Sequence, residues 1–431
     1  MSDSTAVLMN DVGDPQRQVY LDYNATTPVE NTVLQAIHDA LRDAWGNPSS
    51  SHPLGRKAHQ VITESRDSIA NMIGCLGAEI IFTSGGTEAN NMVFHSALNY
   101  YENFIASPAV NPDLKGSKPQ FIISNQEHDS VCLPVARYKE MLKAEECIVN
   151  VAKHSGMVTA QDIKDAVKPN TCLVSVMLAN NETGVIQPIS AIAQAIKGLQ
   201  NERDKAGLPR ILIHTDAAQA IGKIHVDVSE LGVDYLTIVG HKFYAPRIGA
   251  LYVRSLGNSS AAPLFPMLFG GGQERNYRPG TENTGMIAGL GEAAHLVIEH
   301  LDEYHVHMKK MRDYLEARLT EVFGPDNIHF NGKFSTSERL PNTCNVSFLG
   351  KGLHGRTVLS KAKHLLASVG AACHSDRGSK PSHILEALGI PCHVALNAVR
   401  MSVGRETTLE DIDIIVEDLG EVVNRLKKEN S

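Results

Sequence analysis

The 431-residue chain carries 40 Lys and Arg against 48 Asp and Glu, a net charge of −8, and 42% of its residues are hydrophobic. This balance, without a basic cluster, argues against nucleic acid or an anionic membrane surface as the main partner, and the length predicts two or three domains. Seven scattered cysteines without a CxxC pair predict neither a disulfide framework nor a structural zinc site. Because no apolar run reaches membrane-spanning length and the first 18 residues lack a signal or transit pattern, we expect a cytosolic protein.

Short strands and helices alternate along the first quarter of the chain. The sequence YLDYNATTPV predicts a short strand and a turn, and helices follow over residues 31–44 and 57–72. Residues 80–83 predict a strand, after which SGGTEANN begins a helix. Glycines at this junction allow a phosphate to approach backbone N–H groups at the positive end of the helix. The motif lacks P-loop spacing, and an isolated Gly-Gly-Thr is more often an ordinary turn.

Two further strands end in polar motifs. Residues 121–124 lead into NQEHDS, and residues 173–178 lead into ANNETG, before a helix predicted over 189–207. The first motif contains His128 and the second contains Asn181. A lone histidine at a strand end is more often structural than catalytic, and two adjacent asparagines also form an ordinary turn.

The next two apolar runs, 211–214 and 236–239, predict buried parallel strands. Their C-terminal ends, where open α/β sheets bind ligands, deliver Asp216 with Gln219 and then Lys242. Such a pair suits pyridoxal phosphate (PLP), because the lysine amine bonds the aldehyde and the carboxylate keeps the pyridine nitrogen protonated. Taken alone, the pair also fits a turn residue and a solvated lysine.

A glycine-rich run, LFGGGQERNYRPGTEN, follows the next predicted strand. It reads either as a flexible linker or, because Arg275 and Arg278 precede PGT, as an anion site. A long helix is predicted from residue 284 to about 322, and we place the main domain boundary near its start. Strands over 343–348 and 398–403 and an amphipathic helix over 409–426 complete the chain.

Two residues near the C-terminus are candidates for chemistry. Cys373 precedes the polar loop HSDRGSKPS, where a reactive side chain can swing, and the other six cysteines have no comparable setting. Free cysteines are, however, among the most buried residues and are usually inert. Arg400 lies on the last predicted strand, where its guanidinium suits a substrate carboxylate or is merely exposed.

Seven motifs carry a family resemblance: HTDAAQAIGK, GHKFYAPRIGALYVR, SGGTEANN, QEH, LANNETG, GGGQERNYRPGT and ASVGAACHSD. They closely resemble the NifS-like cysteine desulfurases, homodimeric PLP enzymes with the class V aminotransferase fold, over nearly the whole chain. The resemblance implies an α/β fold of the aspartate aminotransferase-like type. It implies a large PLP-binding domain over 30–282 with a mostly parallel sheet. A small α+β domain, formed by 1–29 and 283–431, carries the catalytic cysteine loop.

The same resemblance implies roles for the candidate residues. Lys242 bonds the cofactor, Asp216 faces its ring nitrogen, and His128 stacks on the ring and relays protons. Cys373 is the catalytic cysteine, and no metal is implied. The substrate carboxylate is bound by Arg400 and Asn181. The cofactor is also contacted by Gly86, Thr87, Asn181, Gln219, His241 and, across the dimer, Thr281.

The resemblance also limits the substrate. The matching motifs are closest to those of the animal branch of this family. That resemblance implies conversion of L-selenocysteine to L-alanine, with selenium passing to a reductant or an acceptor protein. Asp129 stands where cysteine-specific bacterial relatives carry a basic residue, and Val239 stands where many desulfurases carry a phosphate-binding serine. The alternatives are a cysteine desulfurase that supplies iron–sulfur assembly, a plain aminotransferase, and a non-catalytic scaffold of the same fold.

Overall fold

The structure, a computed structural model, describes residues 17–108, 110–370 and 381–430. Its strands are β1 (Val19–Tyr20), β2 (Ile80–Thr83), β3 (Gln120–Ser124), β4 (Glu145–Val149), β5 (Thr171–Ser175), β6 (Leu212–Asp216), β7 (Tyr235–Val239), β8 (Gly249–Val253), β9 (Ile328–Phe330), β10 (Thr343–Phe348), β11 (Leu365–Leu366) and β12 (Ala398–Ser402).

The α-helices of the described residues alternate with these strands. They are α1 (Asn31–Asp43), α2 (Pro53–Met72), α3 (Gly86–Ile105), α4 (Asp129–Glu140), α5 (Ala160–Asp165), α6 (Ile189–Lys197), α7 (Gln200–Lys205), α8 (Val228–Leu231), α9 (Thr284–Phe323), α10 (Gly355–Lys361), α11 (His383–Ala387), α12 (Cys392–Ala395) and α13 (Leu409–Glu429). None of the described helices combines the length and the apolar character that a membrane crossing requires.

A seven-stranded sheet with the order β2-β8-β7-β6-β5-β3-β4 forms the centre of the fold. Among these described strands, β8 alone runs antiparallel to its neighbours β2 and β7, so the predicted mostly parallel α/β sheet is confirmed. Strands β2, β3 and β5 to β8 are buried along their whole length, as expected of a sheet covered by helices on both faces. Their inner strands therefore deliver the site residues from a rigid base.

The N-terminal segment joins the C-terminal part of the chain. Strand β1 pairs in parallel with β11, and β9, β10 and β12 form an antiparallel sheet with the order β12-β10-β9. Leu21 is fully buried in a second apolar core with residues of α13 such as Ile415 and Leu419. The predicted domain bounds, 30–282 and 1–29 with 283–431, stay a prediction.

Helix α9, 40 residues long, connects the two cores. Its first half packs against α1 and α2, and its second half packs against α13. Gly291 makes the close approach to α2 possible, because a β-carbon there would lie 2.6 Å from the Cα of Ser65. The predicted long helix over 284–322 is present with nearly the same bounds.

Two predicted elements differ from the structure. The single helix expected over 189–207 is divided into α6 and α7 at Gly198 and Leu199, in keeping with the low helix propensity of glycine. The strand expected over 173–178 ends as β5 at Ser175. Its continuation is a turn in which the side-chain oxygen of Asn180 accepts hydrogen bonds from the backbone N–H groups of Glu182 and Thr183.

Candidate active site

One cavity of about 270 Å³ lies at the carboxyl ends of the central strands, where ligands bind in open α/β sheets. Every predicted site residue except Thr281 and Cys373 lines it. Thr281 is exposed and lies outside the cavity, and Cys373 lies outside the described residues. The lining residues are Asn24, Ala25, Gly86, Thr87, His128, Ser130, Met177, Ala179, Asn181, Asp216, Ala218, Gln219, Val239, His241, Lys242 and Arg400.

Lys242 reaches the cavity from the 3-10 turn Gly240–Lys242 that directly follows β7. The turn is tight, because a β-carbon on Gly240 would lie 2.5 Å from the carbonyl oxygen of Pro246. The Nζ atom of Lys242 lies 2.7 Å and 2.8 Å from the carbonyl oxygens of Asn24 and Ala25. The N-terminal segment therefore contacts the amine predicted to bond the cofactor.

Asp216 ends β6, which pairs with β7, and its side chain is 7% exposed. One carboxylate oxygen accepts a hydrogen bond of 3.0 Å from the backbone N–H of Ala218. The other accepts one of 2.9 Å from the Nδ2 atom of Asn90. Both oxygens thus have donors that fix the plane of the carboxylate beside the cavity.

The N-terminus of α3 forms another wall, with Gly86 and Thr87 in its first turn. Val239 packs directly against it, since a β-carbon on Gly86 would lie 2.6 Å from the Cγ2 atom of Val239. Backbone N–H groups at the start of a 20-residue helix favour an anion such as phosphate. Val239 adds packing there but no side-chain donor.

A buried lysine that the sequence did not suggest lies next to Gln219. Lys223 is 4% exposed, and its Nζ atom lies 2.9 Å from the Oε1 atom of Gln219 and 3.3 Å from the Oδ1 atom of Asn24. Burial, with Lys242 and Arg400 nearby, lowers the pKa of Lys223 well below its ordinary value. The contact orients the Gln219 amide, whose Nε2 atom donates to the carbonyl oxygen of Asn24.

His241 sits between Gly240 and Lys242, with its Nδ1 atom 3.1 Å from the hydroxyl of Thr26. Burial, followed by the positive charges of Lys242 and Arg247, lowers the pKa of His241 to about 4. The imidazole is therefore neutral near pH 7, so it contacts a ligand as a hydrogen-bonding group and not as a cation.

Arg400 lies on β12 and is 1% exposed. One of its terminal nitrogens lies 2.5 Å from a carboxylate oxygen of Asp22, and the other lies 3.1 Å from the carbonyl oxygen of Asn181. Its buried Nε atom has no hydrogen-bond partner within the described part of the chain. The guanidinium is thus held in the cavity wall by Asp22, a partner that the sequence did not suggest.

Arg275 and Arg278, whose spacing suggested an anion site, both bind groups of their own chain in the structure. Arg278 pairs with Glu88 of α3 at 2.8 Å. Arg275 donates to the carbonyl oxygens of Ala78 and Ile80. Arg278 therefore anchors the glycine-rich segment to α3, Arg275 anchors it to the start of β2, and neither lines the cavity.

Glu127, next to His128, is another buried carboxyl group at this end of the sheet. Its oxygens contact the hydroxyl of Ser124 at 2.5 Å and the backbone N–H of Met177 at 3.0 Å and 3.1 Å. Burial raises the pKa of Glu127 to about 8, and the nearby charge of Asp216 acts in the same direction. The carboxyl group thus favours its protonated form in the folded protein.

We expect this shift to make stability fall between about pH 5 and pH 8. In that window the unfolded chain releases the proton of Glu127 while the folded protein retains it, so rising pH favours unfolding. The variant Glu127→Gln should flatten this part of the profile, measured by urea unfolding at several pH values. An unchanged slope would show that Glu127 titrates normally.

The cavity fits PLP on its own geometry. It brings together an amine on Lys242, a buried carboxylate on Asp216 and the N-terminus of α3. These groups suit the aldehyde, the pyridine nitrogen and the phosphate of that cofactor, respectively. A neutral imidazole on His241 and the oriented amide of Gln219 add hydrogen-bonding groups to the same walls.

Comparison with known proteins agrees with this arrangement. The family model described as Aminotransferase class-V matches residues 19–415. Selenocysteine lyase from Rattus norvegicus is 56% identical over 418 residues, covering 96% of each chain. The lyase from Homo sapiens is 54% identical over 417 residues, covering 96% of this chain and 93% of the relative.

Cysteine desulfurases are more distant. The desulfurase IscS from Dictyoglomus turgidum is 38% identical over 419 residues, covering 96% of each chain. A solved structure described as a NifS-like protein has a TM-score of 0.80 and 30% identity, and covers 95% of this chain and 100% of its own. The predicted fold and the predicted cofactor are confirmed, since the class V aminotransferases are PLP enzymes of this fold. The chain belongs to the class V aminotransferase family.

Proposed function

We propose that this protein is a PLP-dependent selenocysteine lyase that converts L-selenocysteine to L-alanine and passes selenium to a reductant or an acceptor. The observation that carries the proposal is 54% to 56% identity to curated selenocysteine lyases of rat, cattle and human, over nearly the whole chain. Cysteine desulfurase activity is the less favoured alternative, because the IscS relative from Dictyoglomus turgidum reaches 38%.

Lys242, Asp216 and the N-terminus of α3 hold the cofactor in this proposal. The Lys242 amine would bond the aldehyde, and the Asp216 carboxylate, fixed by two donors, would stabilise the protonated pyridine nitrogen. Gly86, Thr87, Gln219 and His241, which line the same cavity, would contact the phosphate and the ring. When bound, PLP supplies an electron sink that weakens the bonds at the substrate α-carbon.

Arg400 and Asn181 orient the substrate. They lie on one wall, joined by the hydrogen bond from Arg400 to the Asn181 carbonyl. A substrate carboxylate there meets the Nε of Arg400, which has no partner among the described residues. A charge-assisted contact of this kind places the amino group of the substrate toward Lys242. His128, which also lines the cavity, would move protons to and from the substrate carbon.

Cys373 is proposed as the acceptor of the chalcogen. Its thiolate would attack the selenium atom, so that a sulfur–selenium bond forms and the bond from selenium to the β-carbon breaks. The electron pair of the broken bond stays with the substrate, whose β-carbon gains a proton, and the substrate leaves as alanine. The selenosulfide on Cys373 is then reduced by an external thiol, or its selenium passes to an acceptor protein. The alternative for selenium is attack by an external thiol in place of Cys373, which breaks the same carbon–selenium bond, leaves its electron pair on the β-carbon and again yields alanine.

A homodimer completes the site in this proposal. Thr281 is exposed at the end of the glycine-rich segment, outside the cavity of its own chain. Large apolar side chains are exposed, among them Phe269 and Trp45. Phe269, at the start of the glycine-rich segment, is 88% exposed, and Trp45, shortly after α1, is 66% exposed. A partner that covers them brings its own Thr281 toward the phosphate.

We expect Thr281→Ala to weaken cofactor binding by roughly 10- to 150-fold, because a lost charge-assisted hydrogen bond costs about 1.5–3 kcal/mol. Val239 offers no side-chain donor that compensates for the loss. Retention of PLP on dialysis, followed by absorbance, measures the effect, with Thr336→Ala as an exposed control outside the cavity. Unchanged retention would show that the contact across the dimer is wrongly assigned.

Asp129 is proposed to favour selenium over sulfur. It begins α4 directly after His128, beside the cavity. A cysteine thiol, with an ordinary pKa of about 8.5, is mostly protonated near pH 7, and a nearby carboxylate disfavours its ionisation. A selenol is already ionised and needs no such help.

The variant Asp129→Lys should therefore raise cysteine turnover relative to selenocysteine turnover, by roughly tenfold for each pKa unit by which the thiol is acidified. Asp129→Asn should shift the ratio less, in the same direction. Alanine formation from both substrates measures the ratio. If neither variant changes it, Asp129 serves only as a residue of the first turn of α4.

The compartment proposed for this activity is the cytosol, on the basis of the sequence pattern alone. The activity itself is tested by adding PLP to the purified protein and measuring alanine and selenide from L-selenocysteine. Appearance of a visible absorbance band and of both products supports the lyase. A protein that binds no cofactor would instead be the non-catalytic scaffold.

A further inference from the structure

Asn90 lies at the centre of a hydrogen-bonded chain that joins two sides of the cavity. It is fully buried on α3, within the motif SGGTEANN. Its Nδ2 atom lies 2.9 Å from Oδ2 of Asp216 and 2.8 Å from the hydroxyl of Ser130. Its Oδ1 atom lies 2.7 Å from the hydroxyl of Thr237. Both hydrogens of the amide and its oxygen are therefore engaged.

The chain of contacts fixes the orientation of this amide. Because the Asp216 carboxylate is an acceptor, the amide nitrogen faces it and Oδ1 accepts from Thr237. The Thr237 oxygen must then accept from Nε2 of His214 at 3.1 Å, and Nδ1 of His214 accepts from Ser175 at 2.8 Å. Burial lowers the pKa of His214 to about 4, so the ring is neutral. A neutral ring has one acceptor, for Ser175, and one donor, for Thr237, as this order of hydrogen bonds requires.

The other end of the chain reaches His128. Since the Ser130 oxygen accepts from Asn90, its hydroxyl hydrogen is available to Nδ1 of His128, 2.8 Å away. The backbone N–H of Ser130 points to the same nitrogen at 3.1 Å. Two donors on Nδ1 make that atom an acceptor, so the proton of the neutral ring lies on Nε2.

We propose that Asn90 is a positioning residue of the active site: one amide holds the carboxylate of Asp216 and, through Ser130, fixes His128 with its proton on Nε2. The inference rests on the proposed function, because it gives Asp216 and His128 their roles beside PLP. Asn90 itself does not line the cavity. It joins Asp216, which would face the pyridine nitrogen, to His128, the proposed proton-transferring group, so that one substitution disturbs both.

The variants Asn90→Ala and Asn90→Asp test this coupling. A residue that only fills space would tolerate the isosteric aspartate better than alanine. A residue that acts by donating hydrogen bonds would not tolerate aspartate better, because aspartate places a carboxylate oxygen where an N–H now faces Asp216. We expect both variants to raise the dissociation constant for PLP and to lower kcat about tenfold or more. The Asn90→Asp protein should be at least as impaired as the Asn90→Ala protein.

The matched control is Asn397→Ala. Asn397 is also a buried amide, 4% exposed, and its Nδ2 atom donates two hydrogen bonds, to the carbonyl oxygens of Phe348 and Gly350. It lies outside the cavity lining. Thermal unfolding should show a comparable loss of stability in Asn397→Ala, while its PLP dissociation constant and kcat stay at the wild-type values.

Ser130→Ala separates the contact of Asn90 with Asp216 from its contact, through Ser130, with His128. This variant also keeps the inference testable if the Asn90 variants fold poorly. It removes the link to His128 but retains the bond from Asn90 to Asp216. We expect a lower kcat with an unchanged dissociation constant for PLP. In the double variant with Asn90→Ala, the loss in kcat should be smaller than the product of the two single losses.

Two results would overturn the inference. One is wild-type PLP affinity and kcat in Asn90→Ala, and the other is full multiplicativity of the two single losses in the double variant. Failure of the proposed function looks different, because the wild-type protein itself would then bind no PLP or form no alanine.

Discussion

Replacing Lys242 by alanine should lower turnover by roughly three orders of magnitude or more and remove the visible absorbance band of the bound cofactor. Lys242 is the amine that the turn after β7 places in the cavity beside Asp216. Loss of a residue that bonds directly to the reacting group has effects of this size. Spectra of the PLP-loaded variant and alanine formation measure both changes.

Lys197→Ala is the control for this prediction. Lys197 ends α6, outside the cavity lining, and should tolerate the change with its band and turnover intact. Lys223 is a second nearby amine that complicates the outcome, because it is buried and contacts Gln219. A persistent band in Lys242→Ala would contradict the assignment, and its disappearance in the double variant with Lys223→Met would transfer the role to Lys223.

Replacing Cys373 by alanine should abolish sulfur removal from L-cysteine, because sulfur needs a thiolate acceptor. Alanine formation from L-selenocysteine should fall less, since an external thiol can take selenium across the weaker carbon–selenium bond in place of an enzyme nucleophile. Alanine formed from each substrate, with and without dithiothreitol, measures the two losses separately. Cys392→Ala is a suitable control, because Cys392 is an exposed free cysteine in the same part of the chain.

Full activity of Cys373→Ala on both substrates would contradict its role as the acceptor. Sulfur and selenium would then leave the substrate without forming a covalent intermediate on Cys373. Equal losses on both substrates would show that selenium also needs the thiolate, which strengthens the proposed transfer through a selenosulfide.

Local patterns in the sequence predicted the central strands well. The apolar runs at 211–214 and 236–239 correspond to β6 and β7, and their polar ends meet at one cavity. The reason is physical: strands that are buried on both faces are rich in apolar residues, and the ends of neighbouring parallel strands lie at the same edge of the sheet. Family resemblance supplied the individual roles, which local patterns could not.

Contacts between distant parts of the chain could not be predicted in this way. Arg400 is held by Asp22, 378 positions away, and Asn24 donates to Thr343, 319 positions away. The sequence did not predict a role for Asn90, which belongs to the motif SGGTEANN at the start of α3. A polar residue among the buried positions of a helix is a signal that suggests such a role. Such residues become interpretable only when their partners are placed.

Side-by-side turnover of L-selenocysteine and L-cysteine, with alanine as the measured product, tests the central claim most directly. Both substrates should be supplied at equal concentration to the PLP-loaded protein, under a reductant that keeps the selenol and the thiol reduced. The proposed function predicts that alanine forms much faster from L-selenocysteine. Equal or faster formation from L-cysteine would contradict it and would make this protein a cysteine desulfurase.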